Sequence, residues 1–154
     1  MKNSIAIIGG CGHVGLPLGV KLAKAGNKVY LVDINPQSIA SVNEASFPFL
    51  ERGGDSELLE ARNCGLEATA DMSVVAKCDV VIFVTGTPVD EHLNPKLSEV
   101  TNIISIYKDY LSKGSLVIMR STLAPGTLDY VRHYLESEKI EVGLAFCPER
   151  VSQG

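Results

Sequence analysis

Residues 4 to 18 read SIAIIGGCGHVGLPL, an apolar run that halts at glycines 9, 10, 12 and 15 and resumes as a leucine-rich stretch. Consecutive apolar residues suit a strand buried on both faces of a parallel sheet. Val14, Leu18 and Leu22 then recur at intervals of four, the spacing of one helical face. The glycines therefore stand where strand becomes helix, and Gly10, Gly12 and Gly15 have G-x-G-x-x-G spacing. Gly10 is expected to make the tight turn, Gly12 to let backbone approach a diphosphate, and Gly15 to let helix pack on strand. Amides of a first helical turn lack intrahelical partners and attract anions, so Cys11, His13 and Val14 join the glycines as candidate ligands. Pro17 lacks an N–H but falls near that first turn and is tolerated, while Lys24 and Gly26 close the helix.

Glycine turns also serve plain packing, so the spacing needs support. The second strand, KVYLVD, supplies it by ending in Asp33 at about the interval expected after the glycines. A carboxylate there accepts hydrogen bonds from the adenosine ribose and repels a 2′-phosphate, which selects NAD over NADP.

Strands are predicted over residues 4–9, 28–33, 66–70, 79–85, 115–120 and 141–146, and helices over about 13–25, 36–43, 55–63, 72–77, 97–112 and 125–139. Such alternation calls for a doubly wound α/β fold, a parallel sheet with helices on both faces. Residues 45 to 65 exceed an ordinary connection, and a helix over 56–62 is expected to hang outside the regular winding.

At 154 residues, 45% hydrophobic, the chain is expected to form one domain. A formal charge of −4 with scattered cations argues against nucleic acid. The apolar runs fall short of the roughly 20 residues of a membrane helix, and the N-terminus is not built like a signal peptide, so a cytoplasmic location is expected. Cys11, Cys64, Cys78 and Cys147 lack paired spacing, so neither disulfide nor zinc is expected. Asp90, Glu91 and His92 adjoin on a loop, which suits solvent better than a metal. Cys11 at a helix N-terminus is expected to be modestly reactive without cofactor.

Four further segments fall at expected strand ends: Thr85-Gly86-Thr87-Pro88, Arg120-Ser121-Thr122, Pro125-Gly126-Thr127 and Cys147-Pro148-Glu149-Arg150. Read as residues alone, Ser121 and Thr122 serve equally as a helix cap, Thr85 and Thr87 as a turn, and Glu149 as a solvated carboxylate. Together with GCGHVGLPLG they resemble the amino-terminal domain of the UDP-glucose/GDP-mannose dehydrogenase family, over essentially the whole chain. The resemblance implies a Rossmann-type NAD-binding domain over 1–154. It implies an enzyme that oxidises the C6 alcohol of a UDP-sugar to a carboxylate with two NAD, through a thioester on a cysteine. That cysteine's G-G-x-C-x-P-K-D setting is absent, as are the central helical and carboxyl-terminal sugar-binding domains, so NAD binding without turnover is expected.

By the same resemblance Thr122 orients water or substrate, Glu149 is general base in thioester hydrolysis, and the loop of Thr85, Gly86 and Thr87, with Ser121 and Thr122, contacts cofactor. The sugar is of UDP-N-acetylhexosamine or UDP-glucose type, and Arg150, where UDP-glucose enzymes commonly show phenylalanine, resembles the branch that oxidises UDP-N-acetylhexosamines such as UDP-N-acetylmannosamine. Gln153 stands where a second glutamate is common, and Ser38 where a lysine is. The complete family enzyme is typically a homodimer. The rival readings are another NAD-dependent dehydrogenase, of hydroxyacid or 6-phosphogluconate type, and a non-catalytic NAD-sensing module.

Overall fold

A computed structural model describes residues 3–86 and 96–149. Six strands form one sheet: β1 Ser4–Ile8, β2 Lys28–Val32, β3 Leu66–Thr69, β4 Val80–Phe83, β5 Leu116–Met119 and β6 Gly143–Phe146. All neighbours are parallel, in the order β3-β2-β1-β4-β5-β6. The helices are α1 Gly15–Lys24, α2 Pro36–Asn43, α3 Gly54–Asn63, α4 Leu97–Tyr107 and α5 Thr127–Ser137. The expected doubly wound α/β fold is present.

Alternation along the strands divides the core into two. Ile5, Ile7, Val29, Leu31, Leu66 and Ala68 pack with α1, α2 and α3. Their strand neighbours Ala6, Ile8, Val32, Val81, Phe83, Val117 and Met119 pack with α4 and α5 on the opposite face. Val29, Leu31, Val81 and Val117 are completely buried, which explains why these strands read as continuous apolar runs.

Several expectations need correction. The helix predicted over 56–62 does not hang outside the winding: α3 buries Leu58 and Ala61 completely in the first core, because α2 and α3 together make the β2–β3 crossover. Residues Met72–Lys77 form a 3₁₀ rather than an α-helix, capped by Asp71, whose carboxylate accepts from Ser73 N at 2.9 Å. The helix predicted over 97–112 ends at Tyr107 and tightens into a 3₁₀ turn at Lys108–Tyr110. Gly126 and Lys139, at φ +83° and +57°, bracket α5 and trim it from the predicted 125–139. Among the described residues, no helix is long and apolar enough to cross a membrane.

The register builds the site. Ile8 lies opposite Val32 and Phe83, Phe83 opposite Met119, and Met119 opposite Phe146. The residues that follow these strands, Gly9, Asp33, Val84, Arg120 and Cys147, therefore emerge in one row at the carboxyl edge. The chain reverses its winding direction between β1 and β4, and such a switch point opens a crevice at that edge.

Candidate functional site

The glycine loop begins with a left-handed residue at Gly9, φ +79°. Both Gly9 N–H and Gly10 N–H donate to the Val32 carbonyl, at 2.8 and 3.2 Å. The expected turn residue, Gly10, has instead a packing duty. A Cβ on it would stand 2.7 Å from Ile7 O and 2.8 Å from Leu31 Cα. Gly15 packs as expected, with a Cβ there 2.7 Å from Gly10 Cα. Gly19 extends the close approach along α1, since its Cβ would meet Leu31 Cδ2 at 2.6 Å.

Gly12 is the exception. Its Cβ position meets only Gly9 O, at 3.6 Å, so the inner side of the loop is closed and this side is open. Among the described residues, the amides of His13, Val14 and Gly15 donate to no backbone carbonyl. The helix starts at Gly15, with Val14 as an N-cap that makes no side-chain cap bond. Unused amides beside an open backbone face fit a diphosphate.

Asp33 closes one side of this loop. Its Oδ2 accepts from Cys11 N–H at 3.0 Å and its Oδ1 from Asn35 N–H at 3.1 Å, while its own N–H donates to Thr69 O at 3.1 Å. The carboxylate is thus oriented by backbone groups of β1 and β2 while staying partly accessible. Cys11 is not reactive as expected: its thiol is buried, and burial, with the Asp33 charge adding to it, pushes its pKa up to about 12. Desolvation and a neighbouring anion outweigh the helix N-terminus.

At the end of β4, Thr85 is half-buried and Gly86 exposed, and the Ser121 hydroxyl donates to the Thr85 carbonyl. Ser121 thus ties the β5 end to the β4 end. The cap position of α5 is Gly126, without a side-chain cap bond, so the cap reading of this segment is replaced by a strand-to-strand tie. Thr122 lies exposed between β5 and α5. Thr87, the cluster Asp90, Glu91 and His92, and Arg150 and Gln153 lie outside the described residues.

Glu149 is not a solvated carboxylate. It forms an ion pair of 2.8 Å with Arg120, the two side chains only 17% and 19% exposed. Backbone bonds fix the pair: Arg120 N–H donates to Phe83 O at 2.9 Å, and Glu149 N–H to Arg120 O at 3.0 Å. Arg120 Nη1 also approaches Cys147 Sγ at 3.3 Å. Sequence reasoning quoted Arg120 in a segment without giving it a role and did not single out Phe49, whose ring stacks on His13 with centroids 4.0 Å apart. A lone cation ending the apolar run LVIM was the available signal for Arg120.

Known proteins can now be set beside this geometry. The model of the UDP-glucose/GDP-mannose dehydrogenase family, NAD binding domain, matches residues 3–154. The chain belongs to this family. A UDP-N-acetyl-D-mannosamine dehydrogenase of Methanocaldococcus jannaschii is 34% identical over 148 residues, 94% of this chain and 34% of that protein. A UDP-N-acetyl-D-glucosamine 6-dehydrogenase of Pseudomonas aeruginosa is 35% identical over 84% of this chain and 30% of its own length. The structure of a UDP-N-acetylmannosamine dehydrogenase from Pyrococcus horikoshii superimposes with a TM-score of 0.87 at 30% identity, over 98% of this chain and 37% of that one. The chain spans about a third of the family members it matches.

Proposed function

We propose that this chain is the cofactor-holding part of a nucleotide-sugar 6-dehydrogenase acting on a UDP-N-acetylhexosamine. The observation that carries the reading is the loop at the end of β1: three amides without backbone acceptors among the described residues, an open Gly12, and a carboxylate one strand away. Gly10, Cys11, Gly12, His13, Val14 and Gly15 would surround the diphosphate, chiefly through backbone N–H groups. Asp33 would accept from the adenosine ribose hydroxyls. Thr85, Gly86, Thr87, Ser121 and Thr122 would border the nicotinamide end. When bound, NAD supplies the hydride acceptor for the C6 oxidation.

Thr122 and Glu149 are the proposed chemical residues of the chain. Glu149, positioned by Arg120, would take a proton from water, and Thr122 would orient that water or the substrate. The sugar-binding and thioester-forming parts belong to the central helical and carboxyl-terminal domains of the complete enzyme, which the reading takes as a cytoplasmic homodimer. Four free cysteines, two of them exposed, suit a reducing compartment. The UDP-N-acetylhexosamine assignment is supported by the names of the relatives above and by Arg150 after Glu149.

Calorimetric titration tests the reading. NAD is expected to bind at least tenfold more tightly than NADP, because Asp33 repels a 2′-phosphate. No NADH should form when UDP-N-acetylmannosamine or UDP-N-acetylglucosamine is added together with NAD to this chain alone. Equal affinity for NAD and NADP, or sustained NADH production, would refute it.

A further inference from the structure

The stacking of His13 on Phe49 lies outside every role assigned above. Phe49 belongs to the connection between α2 and α3, and its ring is half-buried against the first core. It meets the Phe47 ring edge-on, with centroids 5.3 Å apart and planes at 90°. Phe47 is itself held at the start of α3. Its N–H donates to Asp55 Oδ1 at 2.8 Å, and its ring lies so near Gly54 that a Cβ there would come within 2.8 Å of Phe47 Cδ2. At the other end is the exposed His13 ring, 4.0 Å from Phe49 and within 18° of parallel. A continuous line of aromatic contacts thus runs from the head of α3 to the middle of the glycine loop.

The first half of that loop is held by Gly9 and Gly10 N–H on Val32 O and by Cys11 N–H on Asp33, but from Gly12 onward the ties are few. Gly12 is tied by a long bond of 3.4 Å to Gly9 O and by accepting from Leu16 N–H at 3.0 Å. Among the described residues, His13 and Val14 N–H donate to no backbone carbonyl. Donors that are to receive a ligand cannot also hold this second half of the loop, which leaves a side-chain contact to do it. A loop that wanders binds more weakly, in proportion to the time spent in the wrong shape.

We propose that Phe49 is a positioning residue of the diphosphate site, holding the loop amides in the receiving geometry through the His13 ring before the cofactor arrives. The inference rests on the NAD reading. The test compares wild type, Phe49→Leu, which keeps apolar bulk but loses the aromatic plane, and Phe49→Tyr, which keeps the plane. Affinities for NAD and ADP are measured by calorimetry and for adenosine by NMR titration, together with amide order parameters of His13 and Val14 in the ligand-free protein. Phe49→Leu should weaken NAD and ADP binding about fivefold, leave adenosine unchanged, and lower both order parameters. Phe49→Tyr should restore wild-type behaviour. Wild-type ADP affinity in Phe49→Leu, unaltered order parameters, or an equal loss for adenosine overturns the proposal. If the wild-type chain binds neither NAD nor ADP, the NAD reading itself falls and this inference falls with it.

Discussion

Gly12→Ala and Gly15→Ala differ by three residues and should fail in opposite ways. At Gly15 the new methyl would stand 2.7 Å from Gly10 Cα and 2.8 Å from Gly10 O, both backbone atoms that cannot rotate aside. Overpacking of this kind costs about 2 kcal/mol, and for a chain of this size that lowers Tm by about 6 °C. At Gly12 the methyl meets only Gly9 O, at 3.6 Å, which is ordinary contact, so Tm should stay within about 1 °C of wild type. The same methyl, however, projects from the open side of the loop. It would displace the diphosphate from one or two charge-assisted N–H bonds, a loss on the order of 10–100-fold in NAD affinity. Thermal unfolding followed by circular dichroism and calorimetric NAD titration separate the two effects. Wild-type NAD affinity in Gly12→Ala would refute the assignment of the open face, and a wild-type Tm in Gly15→Ala would refute the packing account.

Replacing Asp33 by Asn leaves an acceptor but removes the charge, so the preference for NAD over NADP should shrink about tenfold, measured as the ratio of the two Kd values. Native protein should show two fast-reacting thiols, Cys64 and Cys147, and four after denaturation, because Cys11 and Cys78 are buried. Burial holds the thiols of Cys11 and Cys78 up at about 12 and about 11, above the unfolded value of 9.0. Their contribution to stability is therefore complete below about pH 9 and lost as pH rises toward 11 and 12, which chemical denaturation at stepped pH would register. Arg120→Met removes the 2.8 Å ion pair from a largely buried Glu149 carboxylate and should cost about 2 kcal/mol, and adding Glu149→Gln should recover part of the loss in Tm.

Local signals in this chain are strong where one element answers to its own residues. The alternation of apolar strands and amphipathic helices identified the doubly wound fold, because the central strands β1 and β4 are buried on both faces and the helices on one. The glycine spacing and Asp33 marked the loop at the end of β1 for the same reason: a backbone that must pass close to other atoms tolerates no side chain, and a carboxylate that is to reach the same crevice must end the neighbouring strand. The error over Gly10 and Gly9 is instructive. Spacing shows that side chains are excluded, but only the packed neighbours tell whether a position is excluded by φ or by contact with Leu31.

What the residues determined by themselves was thus the order of strands and helices and the crevice-forming edge. Tertiary structure alone decided the Arg120–Glu149 pair, the Ser121 tie to Thr85, the stacking of Phe49 on His13, and the burial of the Cys11 thiol. Each of these joins positions brought together by strand register or by the α2–α3 crossover. Burial and neighbouring charge, which set their chemistry, are properties of the assembled neighbourhood and leave no trace in the local pattern.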